Sequence, residues 1–411
     1  MYTLLDGLRV VEAASFIAAP SCSLHLQQFG AEVIRCDPIG GGPDYRRWPK
    51  AQNDRSFYWE GLNKGKKSIA VNLGTPAGRE LLRQIVTAPG ENGGLFVTNF
   101  PHDGFLAHEG LAALRPDLIT ARVMGWANGT TALDYTVNSA IGVPLMTGPA
   151  NLGDEPVNHV LPAWDIAAGL YAAFALLAAE RRRRMTGQGT EIRLPLGDVA
   201  MAFIGHLGQI GEVTASGQDR PRLGNDLYGS FGRDFATADG KRIIVIALTR
   251  PQWADLVRTL CLGEAVASLE TGLGVDFSRD EGVRFTHRAR LNPLVAAAIG
   301  AMTFSQVETL FAGTRVCWGP YNTLHEAIGH PGLISEANPL FHPVSHLTGE
   351  TYLTPGAAAT VGSDERGMPG RAPDLGEHTD EILATLLGLP DHAIGRLHDE
   401  GTVAGPDGSI S

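Results

Sequence analysis

The run Leu8-Arg9-Val10-Val11-Glu12, then a helical pattern over 20–29 closed by Gly30, then Glu32-Val33-Ile34-Arg35-Cys36, decides the fold class. The two apolar bursts are rich in Val and Ile and read as strands. A helix-length pattern ending in glycine lies between them. Strands joined by a helix run parallel. The rhythm continues, with strands expected over 68–72, 95–98 and 118–123 and helices over 77–88 and 107–115. The expected architecture is α/β, a mostly parallel sheet with helices on both faces. Such sheets bind ligands beyond the C-terminal ends of their strands. The loops 13–19, 37–48, 99–104 and 125–135 are therefore the ones to inspect.

A second region begins near residue 220. Residues 235–245 read as a hairpin turning at Asp239-Gly240. Helical patterns over 251–261, 287–300 and 304–313 follow, which suggests a smaller α+β domain. Residues 342–372 are rich in Gly, Pro and Thr and read as a connector, before helices at 379–387 and 390–399.

Composition narrows the function. The 411 residues are 44% hydrophobic and 19% charged, as in a globular chain of more than one domain. A formal charge of −11 argues against a nucleic-acid partner. The run Arg181-Arg182-Arg183-Arg184 closes a helix, where cations suit the macrodipole. The four cysteines lie far apart without a CxxC, and the thirteen histidines form no HExxH, so no metal is expected. No signal peptide and no membrane span is read, and the expected location is cytoplasmic.

The chemistry centres on Pro162-Ala163-Trp164-Asp165-Ile166-Ala167-Ala168-Gly169-Leu170-Tyr171. This segment opens an apolar helix with a carboxylate in its first turn, where amides and macrodipole favour the ionised form. Two roles are open for Asp165: helix cap, or nucleophile toward an acyl group. No Gly-x-Ser-x-Gly elbow or papain-like cysteine competes for the second role. Gly40-Gly41-Gly42 lacks a nucleotide fingerprint, but Arg46 and Arg47 follow it, and guanidinium pairs suit phosphate or carboxylate. Lys64, Lys66 and Lys67 form a basic turn that is either solvated or aimed at phosphates.

Several segments in order along the chain resemble the family III CoA-transferases. They are Leu5 to Glu12, Gly30 to Arg35, Leu62 to Ile69, Asn99-Phe100, Asp165, Thr186-Gly187-Gln188-Gly189, and Leu375 to Leu383. The resemblance implies an interlocked homodimer. Each chain would have a Rossmann-like large domain built from 1–219 plus the return over 336–411, and a small domain over 220–335. It implies an acyl-CoA substrate and no cofactor beyond the CoA moiety. It makes Asp165 the catalytic nucleophile and matches CoA contacts to Phe16, Ile17, Ala18, Lys66, Asn99 and Phe100. Arg46 and Lys64 are added as helpers.

Further segments (Asp37 to Gly42, Asp134 to Asn138, Met146 to Pro149, Val157 to Asp165, Met201 to Val213, Leu227 to Phe235) resemble one branch of the family. That branch moves CoA between the two carboxyl groups of one unsaturated dicarboxylic acid. Amides at the start of the Asp165 helix would then stabilise the oxyanions. The free carboxylate needs donors, for which Arg47, Tyr135, Asn138 and Tyr228 are the candidates. Alternatives are intermolecular CoA transfer to a free carboxylic acid, and a catalytically silent CoA-binding protein. A racemase is disfavoured, because Leu133 stands where that branch has histidine.

Overall fold

Val10, Val11 and Ala13 are at most 3% exposed, which places β1 (Arg9–Ala13) at the centre of a sheet. In the computed structural model, which describes residues 1–406, β1 is flanked in parallel by β2 (Glu32–Pro38) and β4 (Leu95–Thr98). Outside these lie β3 (Lys67–Val71), β5 (Ile119–Met124) and β6 (Thr190–Pro195), also parallel. The order β3-β2-β1-β4-β5-β6 is that of a doubly wound nucleotide-binding sheet. A short strand, Val403–Ala404, extends it antiparallel beside β3. The order reverses between β1 and β4, so the ligand crevice is expected where those two strands end.

The helices follow their local signals. The first, α1 (Ala18–Gln28), follows β1. Next comes α2 (Phe57–Asn63), a helix not expected from the periodicity, capped by Ser56 accepting from the Trp59 amide. Thr75 caps α3 (Pro76–Thr87), with Pro76 in its first turn, where no amide is missed. The short α4 (His108–Ala112) precedes β5, and α5 (Asp134–Ala140) follows it. After α6 (Val143–Met146) comes α7 (Ala163–Thr186), which ends at Gly187 in the left-handed region. It leads through β6 into α8 (Leu196–His206).

α7 crosses α1 closely. Gly169 permits this: a Cβ there would lie 2.8 Å from the Ala18 carbonyl oxygen. Ala168, Ala172 and Leu176 of α7 join the core with Cys22, Leu26 and Val97. By length and composition α7 could cross a membrane, contrary to the expectation of no such run. In the structure its small-residue face packs into the core through Ala168, Ala172 and Leu176.

The chain divides into two units. One comprises 1–141, 160–212 and 329–406 of the described residues, and the other 142–159 and 213–328. Residues 142–159 thus join the second unit, ahead of the sequence boundary at 220. Within that unit β7 (Phe231–Ala236), β8 (Arg242–Ala247) and β9 (Cys317–Pro320) form an antiparallel sheet around the expected Asp239-Gly240 turn. The expected connector over 342–372 contains a hairpin, Phe341–Ser345 with Thr351–Pro355.

Candidate active site

A cavity of about 460 Å³ opens where β1, β4 and β5 end, within the size range of small-molecule sites. Phe16, Ile17 and Ala18 line it from the turn after β1, Asn99 and Phe100 from the loop after β4, and Thr130, Thr131 and Leu133 from the loop after β5. Asp165 reaches it from the first turn of α7.

Asp165 is not the cap of its helix. The N-cap position is Pro162, which offers no side-chain acceptor. Asp134 supplies the acceptor instead: its Oδ2 takes the amides of Trp164 at 2.7 Å and Asp165 at 3.1 Å. The Ala163 amide donates to the Leu161 carbonyl, and that of Ile166 to the Pro162 carbonyl. Two sequence expectations change as a result. The first-turn amides of α7 are engaged and cannot serve an oxyanion. Nor does the helix start keep Asp165 strongly acidic: burial first, and then Asp134, raise its carboxyl to about 7, against the pull of Arg47. A carboxylate lifted in this way is a better nucleophile than an ordinary one, and among the described residues no hydrogen bond holds it.

Arg47 acts on Asp165 through its charge. The Arg47 guanidinium lies 5.3 Å from the Phe16 ring centre and 5.4 Å from that of Tyr58. Tyr58 was not found from the sequence, because α2 was not. Its Oη is buried and has no hydrogen-bond partner among the described residues. Burial raises the phenol, with Asp44 and Asp165 adding to the shift, so it stays protonated and able to donate.

The turn after β1 is held from both sides. The Phe16 amide donates to Asp44 Oδ2 at 3.2 Å, and Phe16 has φ of 70°, a sparsely populated region for a residue with a side chain. Asn99 fixes the same turn by exchanging two hydrogen bonds with the Ser15 backbone. Its side-chain groups are thereby occupied with the protein. Phe100 packs edge-on against Phe105.

Other expected contacts fall elsewhere. Lys66 is fully buried, with its ammonium on Glu12 at 2.7 Å, the Pro20 carbonyl and Asn63. The three acids Glu12, Asp37 and Asp44 inside the domain require cations more than phosphates do, and Lys66 answers that need with Arg35. Lys64 is 6% exposed, and burial, then Lys66, lower its ammonium to about 8. Arg46 lies in a separate cleft with Tyr45 and Arg55, 4.0 Å from Asp54. Asn138 is fully buried and accepts from the Trp164 indole at 3.0 Å, so it holds that ring in place. Tyr135 reaches the Val160 carbonyl through its hydroxyl at 3.3 Å. Tyr228 belongs to the second unit, where Arg220 stacks on its ring at 3.9 Å and Phe285 packs beside it. Among the described residues no cluster of His, Cys, Asp or Glu could hold a metal.

Residues 5–379 match the model of the CoA-transferase family III. The chain is a family III CoA-transferase. Family relatives span its whole length. It is 49% identical over 408 residues to the 2-methylfumaryl-CoA isomerase of Chloroflexus aurantiacus, covering 99% of both chains. It is 29% identical to the succinyl-CoA–D-citramalate CoA-transferase of the same organism, covering 96% of both. A CaiB/BaiF family protein from Brucella suis has a similar structure, with a TM-score of 0.75 at 25% identity, covering 94% of this family III chain and 100% of its own.

Proposed function

We propose that this enzyme converts 2-methylfumaryl-CoA (mesaconyl-C1-CoA) into 3-methylfumaryl-CoA (mesaconyl-C4-CoA) by intramolecular CoA transfer. The full-length 49% identity to a 2-methylfumaryl-CoA isomerase carries the reading. Asp165 in the cavity at the sheet's switch point supplies the chemistry.

The Asp165 carboxylate attacks the C1 thioester carbonyl and expels CoA thiolate, which leaves a mixed anhydride. The thiolate attacks the aspartyl carbonyl and releases mesaconate, which leaves an aspartyl-CoA thioester. The C4 carboxylate of the retained mesaconate attacks that thioester and expels the thiolate again. The thiolate then takes the C4 acyl group and restores Asp165. No electrons or protons are gained or lost. Each step exchanges one acyl bond for another, and retention of mesaconate makes the return step effectively unimolecular. The uncapped N-terminus of α1, with Ile17 and Ala18 at the cavity wall, is suited to the developing negative charge. Arg47 and the protonated Tyr58 are suited to the free carboxylate of mesaconate.

Incubation of the enzyme with mesaconyl-C1-CoA alone should give the C4 thioester without any added acid. Labelled free mesaconate should not enter the thioester pool. Rapid label entry would favour intermolecular transfer instead. In the same assay Arg47→Ala should lower the rate by about 10²-fold and release free mesaconate, since a charge-assisted contact is lost. If rate and release are both unchanged, the carboxylate is held elsewhere.

The enzyme is inferred to be a cytoplasmic homodimer. On α7 the side chains of Ile166, Leu170, Tyr171 and Phe174 are 39%, 52%, 49% and 69% exposed, an apolar stripe suited to a second copy of the chain. Native mass measurement should give twice the 43.7 kDa chain mass at nanomolar concentration. A monomer would contradict this.

A further inference from the structure

We infer that Asp134 is a positioning residue for the nucleophile: it ties the first turn of α7 to α5 and keeps a second negative charge behind Asp165. The inference rests on Asp165 being the nucleophile.

A helix beginning at Pro162 has no acceptor of its own for its second and third amides. Asp134, 31 residues earlier in the chain, accepts both through one oxygen. The amide of Asp165 itself is one of the two, so the backbone that carries the reacting carboxylate is fixed directly. Asp134 is 2% exposed, and its other oxygen, Oδ1, is buried without a partner among the described residues. A cap alone needs none of this. Serine, threonine or asparagine caps as well and leaves no carboxylate charge buried. α5 also has a local arrangement of its own, in which the Leu133 amide donates to Thr136 Oγ1. What the carboxylate adds is charge beside a second carboxylate.

That charge has a use in the reaction. Two neighbouring carboxylates repel one another. When Asp165 becomes an anhydride or a thioester it is neutral, and the repulsion ends. Asp134 therefore raises the free carboxylate relative to the covalent states, which favours attack on the thioester. Asp134 from α5 and Arg47 from the loop after β2 act on Asp165, the Asp165 charge in turn raises the Tyr58 phenol of α2, and His102 and Asp103 lie on the same cavity wall.

The test compares Asp134→Asn with Asp134→Ala. Asparagine keeps an acceptor oxygen for both amides and removes the charge. Its acid limb in kcat/KM, which reports the free enzyme, should move down by about one pH unit. KM for mesaconyl-CoA should stay within about twofold and kcat should fall about tenfold. Alanine loses the tie as well, and kcat should fall by about 10²-fold. Should the alanine variant fail to fold, the pH limb of the asparagine variant decides the matter. An unshifted limb, with or without a loss of kcat, makes Asp134 a helix cap only and overturns the inference. Hydroxylamine trapping on the unmodified enzyme separates the two failures. An aspartyl hydroxamate at Asp165 with an unshifted limb overturns the Asp134 role alone, whereas no adduct at Asp165 removes the nucleophile and Asp134's role with it.

Discussion

Asp165→Ala is expected to lower isomerisation by about 10⁴-fold or more while KM and CoA binding change little, because every covalent intermediate in the proposed reaction is carried on this carboxylate. Hydroxylamine added during turnover should leave a hydroxamate at residue 165 of the unmodified protein and none in the variant. A second, independent measurement follows from the raised carboxyl, at about 7 in the fold. An unfolded chain returns it to the ordinary carboxylate range, so the folded state holds the proton more tightly. Stability contributed by the protonated group is then lost as pH rises from that range through about 7. Asp165→Asn removes the loss. The variant should melt at a higher temperature than the unmodified protein at pH 8, and the gain should vanish near pH 4. Retained activity in the alanine variant would remove Asp165 from the mechanism. A melting difference independent of pH would contradict the electrostatic origin of the raised carboxyl.

The large sheet was legible because its central strands are apolar bursts and the helix between the first two is closed by Gly30. The expected 95–98 strand is β4 as observed, and the expected 32–36 strand lies within β2. β6 escaped because Glu191 and Arg193 break its apolar run. It lies at the sheet edge, where polar residues are tolerated. α2 escaped because seven residues that include Gly61 give too little periodicity. Of the residues singled out in the sequence, the cavity takes in Phe16, Ile17, Ala18, Asn99, Phe100 and Asp165. Lys66 and Asn138 were misread for a shared reason. Their burial is set by partners far away in sequence, Glu12 for the lysine and the Trp164 indole for the asparagine. Local polarity cannot report such a partner. Asp134 belongs to the same class, since its bonds to the Trp164 and Asp165 amides arise only in the fold.

Arg35→Met is expected to destabilise the protein by about 3–5 kcal/mol, the usual range for removing one partner of a buried ion pair. Arg35 is fully buried and holds Glu12 at 2.9 Å, Asp37 at 2.9 Å and Asp44 at 3.0 Å. Its guanidinium also stacks over Trp59 at 4.5 Å. Without it Glu12 keeps Lys66, while Asp37 and Asp44 lose their guanidinium partner. Burial already lifts the Asp37 carboxyl, and Arg35 is the first group to oppose that rise. The loss should reach the active site, since Asp44 joins Arg35 to the Phe16 amide. The folded fraction of the Arg35 variant should therefore also show a raised KM for mesaconyl-CoA. Lys66→Met is the informative partner experiment. Glu12 is held below the usual carboxylate range because Lys66, and then Arg35, outweigh its burial. Removing Lys66 should lower the urea midpoint and leave KM nearly unchanged, as fits a cation turned inward. A raised KM with an unchanged midpoint would return Lys66 to the CoA phosphates. An unchanged midpoint in the Arg35 variant would show that the buried network does not hold the domain together.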